Sequence, residues 1–215
     1  MIQFLLAAPN SGSGKTTLAC ALLAALKNRG YAPCAFKCGP DYIDPMFHRA
    51  VLGVESHNLD LFFSSPETAR GLYASGAADH GAAVCEGAMG FYDGLSGTST
   101  TASAWQVADT LNLPVLLVVR PKGASLTLAA QIKGLQSFRT PSHLVGILLN
   151  DCKPGLYKML APMLEAETGL PVAGFLPPVP EAAIGSRHLG LYTAGEVADL
   201  QQKISRMADA LVVDW

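Results

Sequence analysis

The chain has 215 residues, half of them hydrophobic and only 15% charged, with a formal net charge of −2. That length suits one large domain or two small ones around a sizeable core, and the lack of a Lys/Arg cluster argues against a nucleic-acid partner. The longest apolar runs, 113–119 and 144–149, fall far short of a membrane span.

No basic segment precedes the first apolar run, so nothing at the N-terminus reads as a secretory leader. The five cysteines (Cys20, Cys34, Cys38, Cys85, Cys152) are scattered, and no second Cys/His pair completes a zinc site with Cys34 and Cys38. They read as thiols in a reducing cytoplasm.

In chain order, strands are predicted over Ile2–Ala8, Pro33–Lys37, Ala82–Glu86, Pro114–Val119, Leu144–Leu149 and Val172–Phe175. Between them lie predicted helices at Lys15–Asn28, Pro66–Ala77, Thr101–Leu111, Leu126–Phe138 and Gly155–Glu167, and a last one from Gly195 towards Leu211. Strands that are apolar throughout belong in a sheet covered on both faces. Their alternation with helices makes that sheet mainly parallel, with right-handed crossovers. The expected class is therefore α/β, with ligands beyond the carboxyl ends of the strands. The phosphate-loop motif of residues 9–17 makes it a P-loop NTPase fold.

That edge receives nearly all the polar and glycine-rich chemistry of the chain. After the first strand comes PNSGSGKTT, residues 9–17. It matches a phosphate-binding loop, except that Pro9 stands where the first glycine is usual. Gly12 and Gly14 let the loop turn tightly, so that backbone N–H groups of Asn10, Ser11, Ser13 and Thr17 can surround phosphate. Lys15 would reach the β- and γ-phosphates of ATP, and the Thr16 hydroxyl would ligate Mg²⁺.

The second strand delivers KCGPDYIDP, with Asp41 and Asp44 three residues apart around Tyr42. One aspartate could hold the metal while the other orients a second substrate, and Lys37 could neutralise charge on a transferring phosphoryl group. Asp44 is also expected to cap a helix starting at Pro45. The third strand delivers EGAMGFYDG, where Glu86 occupies the usual place of an acidic metal partner, with Tyr92 and Asp93 at the far end of the loop. Cys85 lies in A-V-C-E-G and lacks the glycine-flanked elbow and the later His-x-Glu of a glutaminase, so it reads as a packed strand residue.

The motifs SGSGKTT, KCGPDYIDP, EGAMGFYDG and SRHLGL, in that order over residues 1–195, resemble the synthetase domain of the cobyrinic acid a,c-diamide synthases. The wider family includes cobyric acid and dethiobiotin synthetases. The resemblance implies ATP-dependent amidation of the a and c acetate groups of a corrinoid through an acyl phosphate. In this pattern Lys15 and Thr16 hold triphosphate and Mg²⁺, with Asp41 and Glu86 as further metal partners. Asp44 and Asp93, with Tyr42 and Tyr92 nearby, would position the carboxylate or ammonia. Asn150 resembles an adenine-reading asparagine, and 174–181, with Leu176 and Pro177, would flank the base.

Such enzymes carry a glutamine amidotransferase domain. Here residues 196–215 read as a final helix and the start of a linker, so glutaminase is expected in cis beyond a truncation or from a separate subunit. A nickel-sirohydrochlorin amidase and a homodimer remain open. A nucleotide-switch ATPase fits less well, because Asn10 stands where many partition ATPases carry a lysine.

Overall fold

A computed structural model describes residues 1–182 and 199–214. Its elements run β1 (Ile2–Ala7), α1 (Lys15–Asn28), β2 (Pro33–Cys38), α2 (Ile43–Phe47), β3 (Ser56–Leu59), α3 (Pro66–Ala77), β4 (Ala82–Glu86), α4 (Ala104–Leu111), β5 (Val115–Val119), α5 (Leu126–Phe138), β6 (Leu144–Asn150), α6 (Pro154–Thr168), β7 (Val172–Leu176), α7 (Leu200–Ala210) and β8 (Val212–Val213). The strands form one sheet in the order β3-β2-β4-β1-β5-β6-β7-β8. Every pairing is parallel except the last, β7 with β8. The expected α/β architecture is what the chain adopts.

Alternate residues of each strand face opposite sides, and both sides are buried. Phe4, Leu6, Ala35, Val84 and Val118 pack with Leu18, Leu22 and Leu26 of α1. Leu5, Phe36, Cys85 and Leu117 pack on the other side with Val107, Ile132 and Leu160 of α4, α5 and α6. Helix starts follow local chemistry. Ser65 Oγ accepts from Thr68 N with Pro66 in the first turn of α3, and Ser103 Oγ accepts from Gln106 N at the start of α4.

Several boundaries differ from expectation. The helix expected from Thr101 starts at Ala104, because Ser103 caps it and 101–103 form a turn. The helix expected to begin at Pro45 under an Asp44 cap begins instead at Ile43. Asp41 Oδ1 takes the Ile43 N–H at 2.9 Å, leaving Asp44 inside the helix. Past Phe47 the chain continues as one wider helical turn over His48–Leu52. Two strands were not anticipated. β3, Ser-His-Asn-Leu, is too polar to read as an apolar run and sits at the sheet edge, and β8 is only two residues long.

The expected helix start at Gly195 and the motif SRHLGL lie outside the described residues. Within them, α7 packs Leu200, Ile204 and Met207 into the same core as α1, and Gln201 Nε2 donates to Val51 O at 3.0 Å. The β7–β8 contact is tight. A Cβ on Gly174 would lie 2.1 Å from Val212 O and 2.8 Å from Val213 Cα. Gly174→Ala should therefore push β8 away, costing about 1–3 kcal/mol as an overpacked contact. Thermal melting should drop by roughly 2–12 °C, with faster exchange of the Asp214 amide, which donates to Ala173 O at 3.0 Å. Unchanged melting and exchange would show that the contact yields freely.

Candidate functional site

Sheet register builds the centre of the site. β4 lies between β2 and β1, with Glu86 beside Lys37 on one side and Leu6 on the other. Neighbouring strands run about 4.8 Å apart, so these two side chains emerge together on the α1 face at the carboxyl edge. The Lys37 ammonium is 2.7 Å from Glu86 Oε1, 2.6 Å from Asp44 Oδ2 and 4.0 Å from Asp41 Oδ2. Lys37, Glu86 and Asp44 are all buried. Burial alone would lower the Lys37 pKa, but the charges of Glu86 and Asp44, and their hydrogen bonds, raise it well above the ordinary lysine range. Burial would likewise raise Glu86. The Lys37 charge and hydrogen bond, then Thr16, outweigh it and hold the carboxyl below its ordinary range.

The phosphate loop faces this cluster. Gly12 (φ 79°) and Gly14 (φ 94°) take left-handed backbone conformations. α1 opens at Lys15 with no acidic residue of its own in the first turn, so its positive end faces the loop. The buried Ser13 hydroxyl donates to Asn10 Oδ1 at 2.6 Å. Asn150 closes the loop from below, with Nδ2 donating to Ser13 O at 3.0 Å. A Cβ on Gly14 would lie 1.9 Å from that same nitrogen.

The loop after β4 is fastened beside it. Gly87 N donates to Leu6 O at 2.9 Å and Phe91 N to Ala8 O at 2.8 Å. A Cβ on Gly90 would lie 2.7 Å from Pro9 O, which explains a glycine there. Lys15 Nζ bonds the Met89 carbonyl and lies 3.5 Å from Asn10 O. Thr16 Oγ1 donates to Glu86 Oε1 at 2.6 Å. Glu86 Oε2 is buried with no hydrogen-bond partner.

The structure thus brings Lys15, Thr16, Lys37, Asp41, Asp44 and Glu86 together. Asp93 is exposed, and its Oδ2 accepts from Gly90 N at 3.1 Å, holding the turn of its own loop. Tyr92 does not join the cleft. Its hydroxyl donates to Leu135 O at 2.7 Å, and its ring packs against Phe91, Trp105 and Phe138 on the opposite face. Tyr42 is exposed at the rim. Leu176 is buried and Pro177 partly so at the end of β7, next to β6 and Asn150. Ser11 and Thr17 lie in or just past the loop, exposed and partly exposed.

Cys85 points to the face away from Glu86 and is fully buried. A hydrogen bond with Cys38, together with burial, holds its thiol well above the ordinary range. It is chemically quiet.

Two polar residues escaped the sequence reading. His48, one helical turn past Asp44, is buried with Nδ1 3.1 Å from Ser56 Oγ. Burial lowers its pKa against the opposing charges of Glu86 and Asp44. Asn58 Nδ2 donates to both Gly39 O and Asp41 O at 2.8 Å and fixes the aspartate loop. His48 follows the apolar Met46 and Phe47, which was a usable signal; Asn58 lies in the polar run 55–58 and offered none. Among the described residues, no group of three or more His, Cys, Asp or Glu side chains could hold a metal ion.

A tight loop between a parallel strand and a helix start, with lysine and threonine aimed at an acidic strand end, defines a nucleotide-binding α/β domain. The chain belongs to the CobQ/CobB/MinD/ParA nucleotide binding domain family, whose description matches residues 4–190. It is 40% identical to a cobyrinate a,c-diamide synthase of Clostridium tetani, over 95% of this chain and 46% of that protein. It is also 40% identical to a hydrogenobyrinate a,c-diamide synthase of Streptomyces coelicolor, over 90% of this chain and 40% of that one. The chain therefore spans about half the length of the curated relatives it matches. A ParA family ATPase from Chlorobium tepidum shares the fold, with a TM-score of 0.57 at 16% identity over 96% of this chain and 97% of that one. No helix among the described residues is long and apolar enough to cross a membrane.

Proposed function

We propose that this chain is the ATP-using part of an amide ligase acting on the a and c acetate groups of cobyrinate or hydrogenobyrinate. The observation that carries the reading is the convergence of the Lys15–Thr16 loop with the Lys37–Asp44–Glu86 cluster at adjacent strand ends. A carboxylate is a poor electrophile until one of its oxygens becomes a leaving group. In the proposed reaction, a substrate carboxylate oxygen attacks the γ-phosphorus, the bond to the β-phosphate oxygen breaks, and ADP leaves. Ammonia then attacks the acyl carbon, phosphate departs, and the nitrogen loses a proton to give the carboxamide.

Each residue has a part in this. Lys15 and the loop amides hold the triphosphate, and Lys37 offsets charge gathering on the transferring group. Asp44 orients the acceptor carboxylate or ammonia from the loop that Asn58 fixes, with Tyr42 at the rim. Asp93 acts from the loop after β4, and Asn150, Leu176 and Pro177 border the base. Thr16 and Glu86 fit a Mg²⁺ ion, because Glu86 Oε2 is buried and unpartnered beside the hydroxyl. With Asp41 as a further ligand, that ion would neutralise phosphate oxygens while phosphate and water complete its shell. Such chemistry belongs in the cytoplasm, with ammonia delivered by a glutaminase in cis or in trans.

The test uses the 215-residue chain with ATP, Mg²⁺ and a panel of cobalt-containing, metal-free and nickel-containing tetrapyrrole acids, with products read by mass spectrometry. Ammonium should support amide formation with one ADP per amide, and glutamine should not, because Cys85 is buried, protonated and on the wrong face. Glutamine-driven amidation would overturn the assignment of Cys85. A chain that binds ATP but amidates no member of the panel would overturn the function.

A further inference from the structure

The cleft poses an electrostatic difficulty for a polycarboxylate substrate. Asp41, Asp44 and Glu86 lie around the Lys37 ammonium, with Lys15 bonded to the Met89 carbonyl on the neighbouring loop. A ligand recognised by its carboxylates alone would meet like charge here, so its affinity has to come from elsewhere. The surface next to the cluster supplies a source.

Among the described residues, fifteen large hydrophobic side chains are exposed, and six lie within eight residues of the carboxyl ends of β2, β3 and β4. They are Tyr42, Ile43 and Met46 after β2, Phe62 and Phe63 after β3, and Met89 after β4. These three strands are immediate neighbours. Phe63 is 74% and Phe62 58% exposed, with ring centroids 4.7 Å apart in an edge-on arrangement. Their exposure is built in. Asp60 Oδ1 accepts from Phe62 N at 2.8 Å and Asp60 O from Ser64 N at 3.1 Å, so an ordered turn presents both rings. Asn58 ties the end of β3 to the Asp41 loop, and Gly39 N bonds Leu59 O at 2.9 Å. The turn that presents both rings is therefore tied through the end of β3 to the loop carrying Asp41 and Asp44, and Met89 lends its carbonyl to Lys15. Clustered exposed apolar side chains of this kind mark binding surfaces.

We infer that Tyr42, Met46, Phe62 and Phe63 form a shelf that seats the broad apolar face of a macrocyclic substrate. An acetate arm at the macrocycle rim then reaches over the shelf edge towards Lys15, while the other carboxylates stay in solvent. This deepens the function proposed above and rests on it. On this view the enzyme recognises the ring by its face and only the reacting arm by its charge.

Equilibrium dialysis of cobyrinate against the 215-residue chain with ATP and Mg²⁺, read by corrin absorbance, tests the shelf, with ATP affinity measured in parallel. The F62A/F63A double variant should bind cobyrinate at least tenfold more weakly while ATP affinity stays within twofold. F62L/F63L should restore cobyrinate binding to within about threefold of the parent. If the double variant loses ATP binding as well, Phe63→Ser decides alone, since that side chain is mostly solvated; it should still weaken cobyrinate by several fold. Cobyrinate affinity unchanged in the alanine or serine variants would overturn the shelf and leave the function standing. So would a parent chain that self-associates through these rings while the double variant stays monomeric and binds cobyrinate normally. A parent chain that binds ATP but no tetrapyrrole would overturn both.

Discussion

Lys37→Met should be among the most damaging single substitutions in the chain. It leaves the Glu86 and Asp44 carboxylates buried without a cation, and removing one partner from a buried ion pair costs about 3–5 kcal/mol. Thermal melting at neutral pH should fall by roughly 6–20 °C. The pH dependence adds a signature. In the parent, Glu86 sits below its ordinary value of 4.5. Its contribution is therefore complete above that pH and is lost as pH falls through the lower folded value. Lys37 sits above its ordinary 10.5, so its contribution holds below that pH and is lost only as pH rises through the higher folded value. In the variant, Glu86 stays buried without the cation that had lowered its carboxyl, so burial raises it, and acid should relieve the defect. The gap in melting temperature between parent and Lys37→Met should therefore narrow as pH drops from 7 towards 4. A gap independent of pH, or a variant as stable as its parent, would show that the carboxylates are solvated and that the buried cluster is misdescribed.

The second large effect is on nucleotide binding. Gly14→Ala places a methyl 1.9 Å from the Asn150 amide nitrogen at a residue with φ of 94°. Either the loop or Asn150 must move, and the amides that would surround phosphate move with it. ATP affinity by calorimetry should fall at least about 100-fold, a loss of roughly 2.7 kcal/mol. Gly14→Ala combined with Asn150→Ala removes the collision but not the backbone strain, which is worth about 1–2 kcal/mol for a left-handed non-glycine residue. The pair should therefore regain part of the affinity, and its double-mutant cycle should be non-additive. Near-parental ATP binding by Gly14→Ala would mean that the loop geometry does not govern binding.

Much of this arrangement was legible in the sequence because strong local chemistry coincided with strong periodicity. The apolar runs that became β1, β2, β4, β5 and β6 each ended in a loop with glycine and polar residues, and that of β7 in a proline-rich one; the rule for parallel sheets put those loops on one edge. Glu86 and Lys37 could be assigned to that edge separately. Their adjacency could not, because it depends on β4 inserting between β1 and β2, a long-range pairing that no local pattern encodes. The partner of Asn150 was hidden for the same reason, since Ser13 lies 137 residues away. β3 was missed because an edge strand can be polar, and its Ser-His-Asn run answers to His48 and the Asp41 loop rather than to a core. Tyr92 looked like a substrate-side residue from its neighbours in sequence, yet the loop after β4 turns its ring under α5.

The hydrogen bonds from Gly87 to Leu6 and from Phe91 to Ala8 carry the acidic loop along the first strand as though it were a splint. The spacing between the phosphate cradle and Glu86 is consequently set by the sheet itself and needs no closing motion to establish it. An arriving triphosphate meets a mould already cast, and the energy of its docking is left for aligning the acceptor acid.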